Sequence, residues 1–334
     1  MNGQLENLLS YLRESIRRPL PEEVDAPRGD ERTVPEAPRR IGLALGGGGG
    51  KGGAHLGVLA ALEELGIPMD VIAGTSAGGF VGVLYAAGFS LDQIADIFPT
   101  FALRRIATRD PTRTGLIGAR KREALLTRLL GDRTFADLRI PCAVTAADLV
   151  SGRLVVIDQG PLVPAIMATT AIPGIFPPVV RGQEVLVDGG VLDNVPVDVA
   201  ERMGARRVIA VQLSDVLPGF VVPTTMPDNP LARLMLPPRQ FANASRALDL
   251  LIAQLTELRL AQHPDTVRLR PDVGHIGTLD LIHIEEGHRA GVAAVRAAAA
   301  ELIALRHWRL ESPEPTPAAQ PRPQSLGSAM RESA

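Results

Sequence analysis

The chain has 334 residues, 46% apolar and 22% charged, a composition that belongs to folded globular proteins and excludes disordered or fibrous ones. Lys and Arg number 35 against 37 Asp and Glu, so the net charge is −2 and no global field points to nucleic acid as a partner. The one cysteine, Cys142, excludes an intramolecular disulfide framework and a multi-cysteine metal site, and it fits a reducing, cytoplasmic setting.

In chain order, Leu5, Leu8, Leu9, Leu12 and Ile16 make the stripe of a short amphipathic helix, which either docks on the protein's own body or lies on a membrane surface. Residues 19–40 hold five prolines and mixed charge and predict a linker, so residues 1–40 are set apart from a folded body at 41–311. Residues 312–334, rich in Pro, Ser and Gln, predict a disordered tail. The N-terminus lacks a basic stretch followed by an apolar core, and no apolar run reaches the roughly 18 residues of a membrane-spanning helix.

Within the body, Ile41–Leu45 reads as a strand that ends in glycines, followed by a helix from Gly52 to Leu65. Val71–Ala73 is a second strand, running through Gly-Thr-Ser into a helix to Ala87. Cys142–Ala146 and Leu154–Ile157 predict a hairpin turning at Ser151-Gly152. Val185–Val187 is another strand, Val195–Met203 a helix leading to the strand Arg207–Leu213, and 245–262 and 285–308 have helical periodicity. Strands alternating with helices predict an α/β layered fold, a mostly parallel central sheet flanked by helices. In such sheets sites form at the carboxyl ends of strands, and both glycine-rich signals fall there.

The first signal is Gly46-Gly47-Gly48-Gly49-Gly50-Lys51-Gly52-Gly53. Consecutive glycines let the backbone turn its N–H groups inward, and the following helix N-terminus favours an anion. A phosphate-binding Walker loop needs Ser or Thr after the lysine, whereas Lys51 is followed by Gly52. A dinucleotide fingerprint needs an acidic residue ending the second strand, where this chain has Ala73-Gly74-Thr75-Ser76. Two readings remain, an oxyanion hole with amides aimed at a developing alkoxide and a merely flexible glycine tract. The second signal, Gly74-Thr75-Ser76-Ala77-Gly78, is a G-x-S-x-G pentapeptide between an apolar strand and an apolar helix, the context of a nucleophile elbow with Ser76 at its tip. The third is Asp188-Gly189-Gly190 at a strand end, which alone suits a turn or cap as well as a base.

Together these three motifs resemble the patatin-like phospholipase family, whose pattern is a G-x-G-x-x-G loop, G-x-S-x-G and Asp-Gly-Ala or Asp-Gly-Gly. The matching positions are Gly47 to Gly52, Gly74 to Gly78 and Asp188 to Gly190, with further similarity in Ala54 to Leu59 and Ala171 to Pro178. The resemblance implies a patatin-like catalytic domain over 41–311 and a Ser76–Asp188 dyad without histidine. It also implies an oxyanion hole from the amides of Gly47, Gly48, Gly49, Gly50, Lys51 and Gly52. The implied reaction is hydrolysis of a phospholipid or other lipid ester through an acyl-serine, with no metal and no cofactor. Lys51 matches the family's basic position, adding positive potential or tying the loop to the body.

Two rival readings remain open. A Ser-Asp-His triad fits the chain order Ser76, Asp188 and then His263, His275, His283 or His288, although α/β-hydrolases carry more strands ahead of the nucleophile. His55, ahead of the serine, suits a packed or capping role better than a base. A non-catalytic lipid-binding protein is the other rival, against which Ser76 and Asp188 stand. Residues 214–239, with six prolines among apolar side chains, are a candidate lid. Arg104 to Arg128 carries eight basic and two acidic residues, either a solvated helical face or a patch for peripheral contact with anionic lipid at the inner membrane face. With one Trp, two Tyr and eight Phe in the chain, an acyl pocket poor in aromatics is expected.

Overall fold

The structure is a computed structural model that describes residues 38–101, 106, 108, 110–112, 114–214, 239–278 and 280–311. The expected N-terminal helix, most of the 19–40 linker, the 215–238 portion of the candidate lid and the 312–334 tail lie outside the described residues, as do Arg104, Arg105, Arg109 and Arg113. Among the described residues an eight-stranded sheet carries helices on both faces. β1 (Ile41–Leu45), β2 (Val71–Thr75), β3 (Cys142–Asp148), β7 (Arg207–Val211) and β8 (Val267–Leu269) pair in parallel. β4 (Leu154–Ile157), β5 (Val179–Arg181) and β6 (Glu184–Asp188) add antiparallel pairings around β3, giving the order β5-β6-β3-β2-β1-β7-β8 with β4 also on β3. The sheet is therefore mostly parallel, as the alternation of strands and helices predicts.

Side chains alternate between the two faces of a strand, and the central strands sort them by size. Leu43, Leu45, Ile72, Ile209 and Val211 face one core with α1 (Gly53–Glu64) and α2 (Ala77–Ala86). On the same side lie α3 (Leu91–Ile97), α4 (Arg120–Leu130) and α5 (Leu162–Thr169). Ala44, Ala73, Val208 and Ala210 face a smaller core against α6 (Val197–Arg202) and Leu260 of α7 (Arg239–Leu260). Continuous burial on both faces explains why these strands read as unbroken apolar runs. The 285–308 periodicity resolves into two helices, α8 (Ile284–Ala297) and α9 (Ala299–Leu310). α8 lies against α1 with backbones in contact, since a Cβ at Gly57 would meet the His288 carbonyl and one at Gly291 the Ala54 carbonyl.

One feature of register positions the site. Val144 of β3 pairs with both Gly74 and Ile157, and Ala146 pairs with both Val155 and Asp188. A strand has two edges, so β4 takes one and β2 and β6 share the other. β2 runs parallel to β3 and β6 antiparallel, so they meet carboxyl end to carboxyl end. Thr75 sits opposite Thr145 and Asp188 opposite Ala146, which brings Ser76 and Asp188 together from 112 positions apart in the chain.

Candidate active site

Ser76 has φ 54° and ψ −121°, and it is the non-glycine residue with positive φ among those described. A side chain in this region carries strain that its surroundings must hold. The neighbouring glycines make the turn feasible: a Cβ at Gly74 would lie 2.6 Å from the Gly79 backbone, and one at Gly78 would strike the Leu45 carbonyl. The Ser76 amide donates to Thr169 Oγ1 at 2.9 Å. Beneath it, Thr75 Oγ1 donates to the Asp193 carbonyl at 2.9 Å, so in the 2.7 Å contact between Thr75 and Thr145 the Thr145 hydroxyl is the donor. Ser76 also stands at the N-terminus of α2, where the helix dipole favours negative charge.

The Ser76 side chain faces the Asp188 carboxyl closely enough to favour its charged form. The Asp188 amide donates to the Ala171 carbonyl at 3.0 Å, and Asp188 Oδ1 accepts the Gly190 amide at 2.9 Å. Gly189 packs where a Cβ would meet the Thr145 hydroxyl. Burial pushes the Asp188 carboxyl up to about 6, while the Ser76 hydroxyl, the Gly190 amide and the Arg122 charge restrain the rise.

The glycine loop runs from β1 into a 3₁₀ turn at Gly49–Gly52 and then α1. Its six candidate amides are not equivalent. The Gly47 amide donates to the Asn194 carbonyl, Gly50 to the Thr278 carbonyl and Lys51 to the Gly48 carbonyl, and Gly52 closes the turn. Among the described residues the Gly48 and Gly49 amides have no acceptor, so the set of open donors narrows to these two. Gly49 has φ 56°, a conformation favouring glycine, and a Cβ there would strike the Thr278 carbonyl. Lys51 Nζ donates to the Leu213 carbonyl at 3.2 Å, tying the loop to the body.

His55 is fully buried, with Nε2 donating to the Gly46 carbonyl at 2.7 Å. Burial lowers its pKa to about 4, so it is neutral and props the loop. Three of the later histidines meet carboxylates elsewhere: His263 meets Asp198 and Glu201, His275 meets Glu286, and His283 meets Asp280 and Glu286. The fourth, His288, lies on α8, where its carbonyl meets α1 at Gly57. Asp198, Glu201 and His263 also form a group with metal-ligand spacing, but both ring nitrogens already face carboxylates, Arg259 pairs with Asp198 at 2.9 Å, and none of the three lines the pocket.

Gly49, Ser76 and Ala77 open into a cavity of about 640 Å³ counted with its open mouth. Its walls are Phe80, Phe98, Phe101, Leu126, Ile166 and Phe176, among others. Four of the chain's eight phenylalanines line it, which corrects the expectation of a pocket poor in aromatics. Phe80 stacks edge-on against Phe98 and Phe101 with centroids 5.3 and 5.0 Å apart. Arg122 also lines the cavity and is 4% exposed. The view of Arg104 to Arg128 as a solvated face or lipid patch fails at this residue, while Arg120, Lys121 and Arg128 remain exposed. Composition conceals Thr169 and Arg122 as site residues: one looks like a helix terminus and the other like part of a charged run.

Residues 43–201 match the family model described as patatin-like phospholipase. Among curated relatives, a protein of Debaryomyces hansenii named lysophospholipase NTE1 is 31% identical over 276 residues, covering 76% of this chain and 17% of that protein. An uncharacterised NTE family protein of Mycobacterium tuberculosis is 34% identical over 280 residues, covering 78% of this chain and 47% of the other. The chain thus spans about half the length of these relatives or less. Among solved structures, VipD from Legionella pneumophila aligns with TM-score 0.52 at 15% identity, covering 80% of this chain and 67% of that one, a likeness of fold.

Proposed function

We propose that this chain, a member of the patatin-like phospholipase family through residues 43–201, hydrolyses carboxylic esters of lipids with Ser76 as nucleophile and Asp188 as base. The observation that carries the reading is Ser76 at the tip of its strained turn, facing the buried Asp188 carboxyl and opening into an apolar cavity. Asp188 takes the hydroxyl proton as Oγ attacks the ester carbonyl, then returns it to the leaving alcohol; the acyl-serine is cleaved by a water that the same carboxylate deprotonates. An ordinary carboxylate, pKa about 3.9, is a weak base for an alcohol. Desolvation that raises Asp188 to about 6 makes it a stronger one while leaving it ionised at neutral pH.

The Gly48 and Gly49 amides and the α2 N-terminus supply the donors for the tetrahedral oxyanion; loss of one such donor elsewhere costs about 10²–10³ in kcat. The cavity takes the acyl chain, and a phospholipid with a single chain is the favoured substrate class, in keeping with the name of the Debaryomyces relative. The test is release of fatty acid from lysophosphatidylcholine and of p-nitrophenol from a short ester. Wild type turns over both, Ser76→Ala and Asp188→Asn turn over neither, and single substitution of His263, His275, His283 or His288 leaves turnover in place. A Ser76→Ala variant with wild-type rates would overturn the assignment.

A further inference from the structure

The guanidinium of Arg122 is buried in a cavity otherwise suited to hydrocarbon, and the proposed serine–aspartate chemistry does not call for it. Burying a cation is costly unless it is paired and hydrogen-bonded. Arg122 Cζ lies 3.9 Å from the Phe176 ring centroid, Nη1 donates to the Thr170 carbonyl at 3.0 Å and Nη2 to the Met167 carbonyl at 3.2 Å. Nε has no acceptor among the described residues. The two carbonyls belong to the end of α5 and the residue after it, and the same short stretch holds both reactive residues. Thr169 Oγ1 accepts the Ser76 amide and the Ala171 carbonyl accepts the Asp188 amide. Residues 167–171 are therefore a hub: the fork of Arg122 grips it from the pocket side, and the serine and the aspartate are registered on it from the sheet side.

We propose that Arg122 is a positioning residue for the Ser76–Asp188 pair, pinning the Met167–Ala171 hub with its two donors and facing the Asp188 carboxylate with a buried positive charge. The inference rests on the proposed serine–aspartate chemistry. The groups that face Asp188 are the Ser76 hydroxyl, the Gly190 amide and, as the charged one, Arg122. The attraction is mutual: burial lowers Arg122 to about 10 and Asp188 opposes that fall, so the guanidinium stays charged across the working range. A planar fork can span two carbonyls where a lysine ammonium cannot, so the charge and the grip are separable.

The experiment measures kcat and KM against pH for p-nitrophenyl butyrate and lysophosphatidylcholine with wild type, Arg122→Lys and Arg122→Gln, alongside thermal melts. Arg122→Gln is expected to lower kcat about tenfold or more at neutral pH, with KM for the neutral ester within about twofold. It also moves the acid midpoint of kcat/KM upward, since the buried Arg122 charge favours the ionised form of Asp188. Arg122→Lys retains the charge and so keeps the midpoint close to wild type, but it still loses kcat. An unshifted midpoint in Arg122→Gln, wild-type kcat in Arg122→Lys, or a change confined to KM for the phosphate-bearing substrate would overturn the proposal; the last would make Arg122 a headgroup anchor.

A readout without turnover separates this inference from the catalytic reading. In a cycle of Arg122→Gln and Asp188→Asn followed by melting temperature at pH 8, Arg122→Gln is expected to destabilise the Asp188 protein more than the Asp188→Asn protein. Additive shifts would refute the coupling even in an active enzyme. Non-additive shifts in a protein without esterase activity would leave the coupling standing and remove the catalytic reading.

Discussion

Replacing Asp188 by Asn is expected to abolish activity and, at neutral pH, to stabilise the fold. Desolvation raises the carboxyl from 3.8 to about 6 in the folded protein, so the folded state binds the proton more tightly than the unfolded chain. Below the unfolded value both states are protonated and Asp188 costs nothing. Between 3.8 and about 6 the unfolded chain ionises first, and above about 6 the penalty is complete. Two pH units at about 1.36 kcal/mol each give a penalty of about 3 kcal/mol. Asn keeps an oxygen for the Gly190 amide and offers an N–H₂ toward Ser76, so most of that penalty is relieved. At about 2–4 °C per kcal/mol, the melting temperature rises by about 5–10 °C at pH 7.5. The gain shrinks toward zero near pH 4, and ester turnover falls by about 10²–10⁴. Melts by circular dichroism from pH 4 to 8 read the difference. A variant no more stable than wild type at pH 7.5, or a gain independent of pH, would refute the view of Asp188 as a desolvated base.

Gly49→Ala places a Cβ on a residue at φ 56° and against the Thr278 carbonyl; kcat should drop about 10²–10³-fold as an oxyanion donor is displaced, and retained kcat would exclude Gly49 as a donor. Thr169→Val removes the acceptor of the Ser76 amide, and a buried donor left unpaired costs about 1–3 kcal/mol; chemical denaturation should show that loss together with reduced kcat, while an unchanged midpoint would mean that Thr169 does not support the elbow. Leu126→Phe adds bulk to a cavity wall, so the ratio of kcat/KM for a C12 over a C4 p-nitrophenyl ester should fall; an unchanged ratio would exclude this cavity as the acyl site.

The parts of the site legible in the sequence are those where backbone geometry dictates residue type. Gly49, Gly74 and Gly78 are positions where a Cβ would collide, and Ser76 is recognisable because its turn needs small neighbours. Asp188 was recognisable through the family resemblance, and its meeting with Ser76 depends on β6 sharing an edge of β3 with β2, a matter of long-range register that local pattern does not encode. Arg122 sits in Arg120-Lys121-Arg122-Glu123, where charge signals solvent; its burial follows from the carbonyls of residues 167 and 170, far away in sequence. Short strands were hidden for a related reason: Val267–Leu269 has three residues, too few for alternation to register. Nothing local marks the break at Ala298, which lies in a run of alanines without Gly or Pro, yet α8 follows α1 while α9 buries Leu302 in the main core.

Labelling with a fluorophosphonate, followed by peptide mass spectrometry across pH 4.5 to 8, tests the central claim most directly because it reads the nucleophile without a natural substrate. The account predicts a single adduct on Ser76, a labelling rate that rises with pH about a midpoint near 6, and a rate greatly reduced in Asp188→Asn. An adduct on another residue, or labelling of Ser76 at the same rate with and without Asp188, would contradict it.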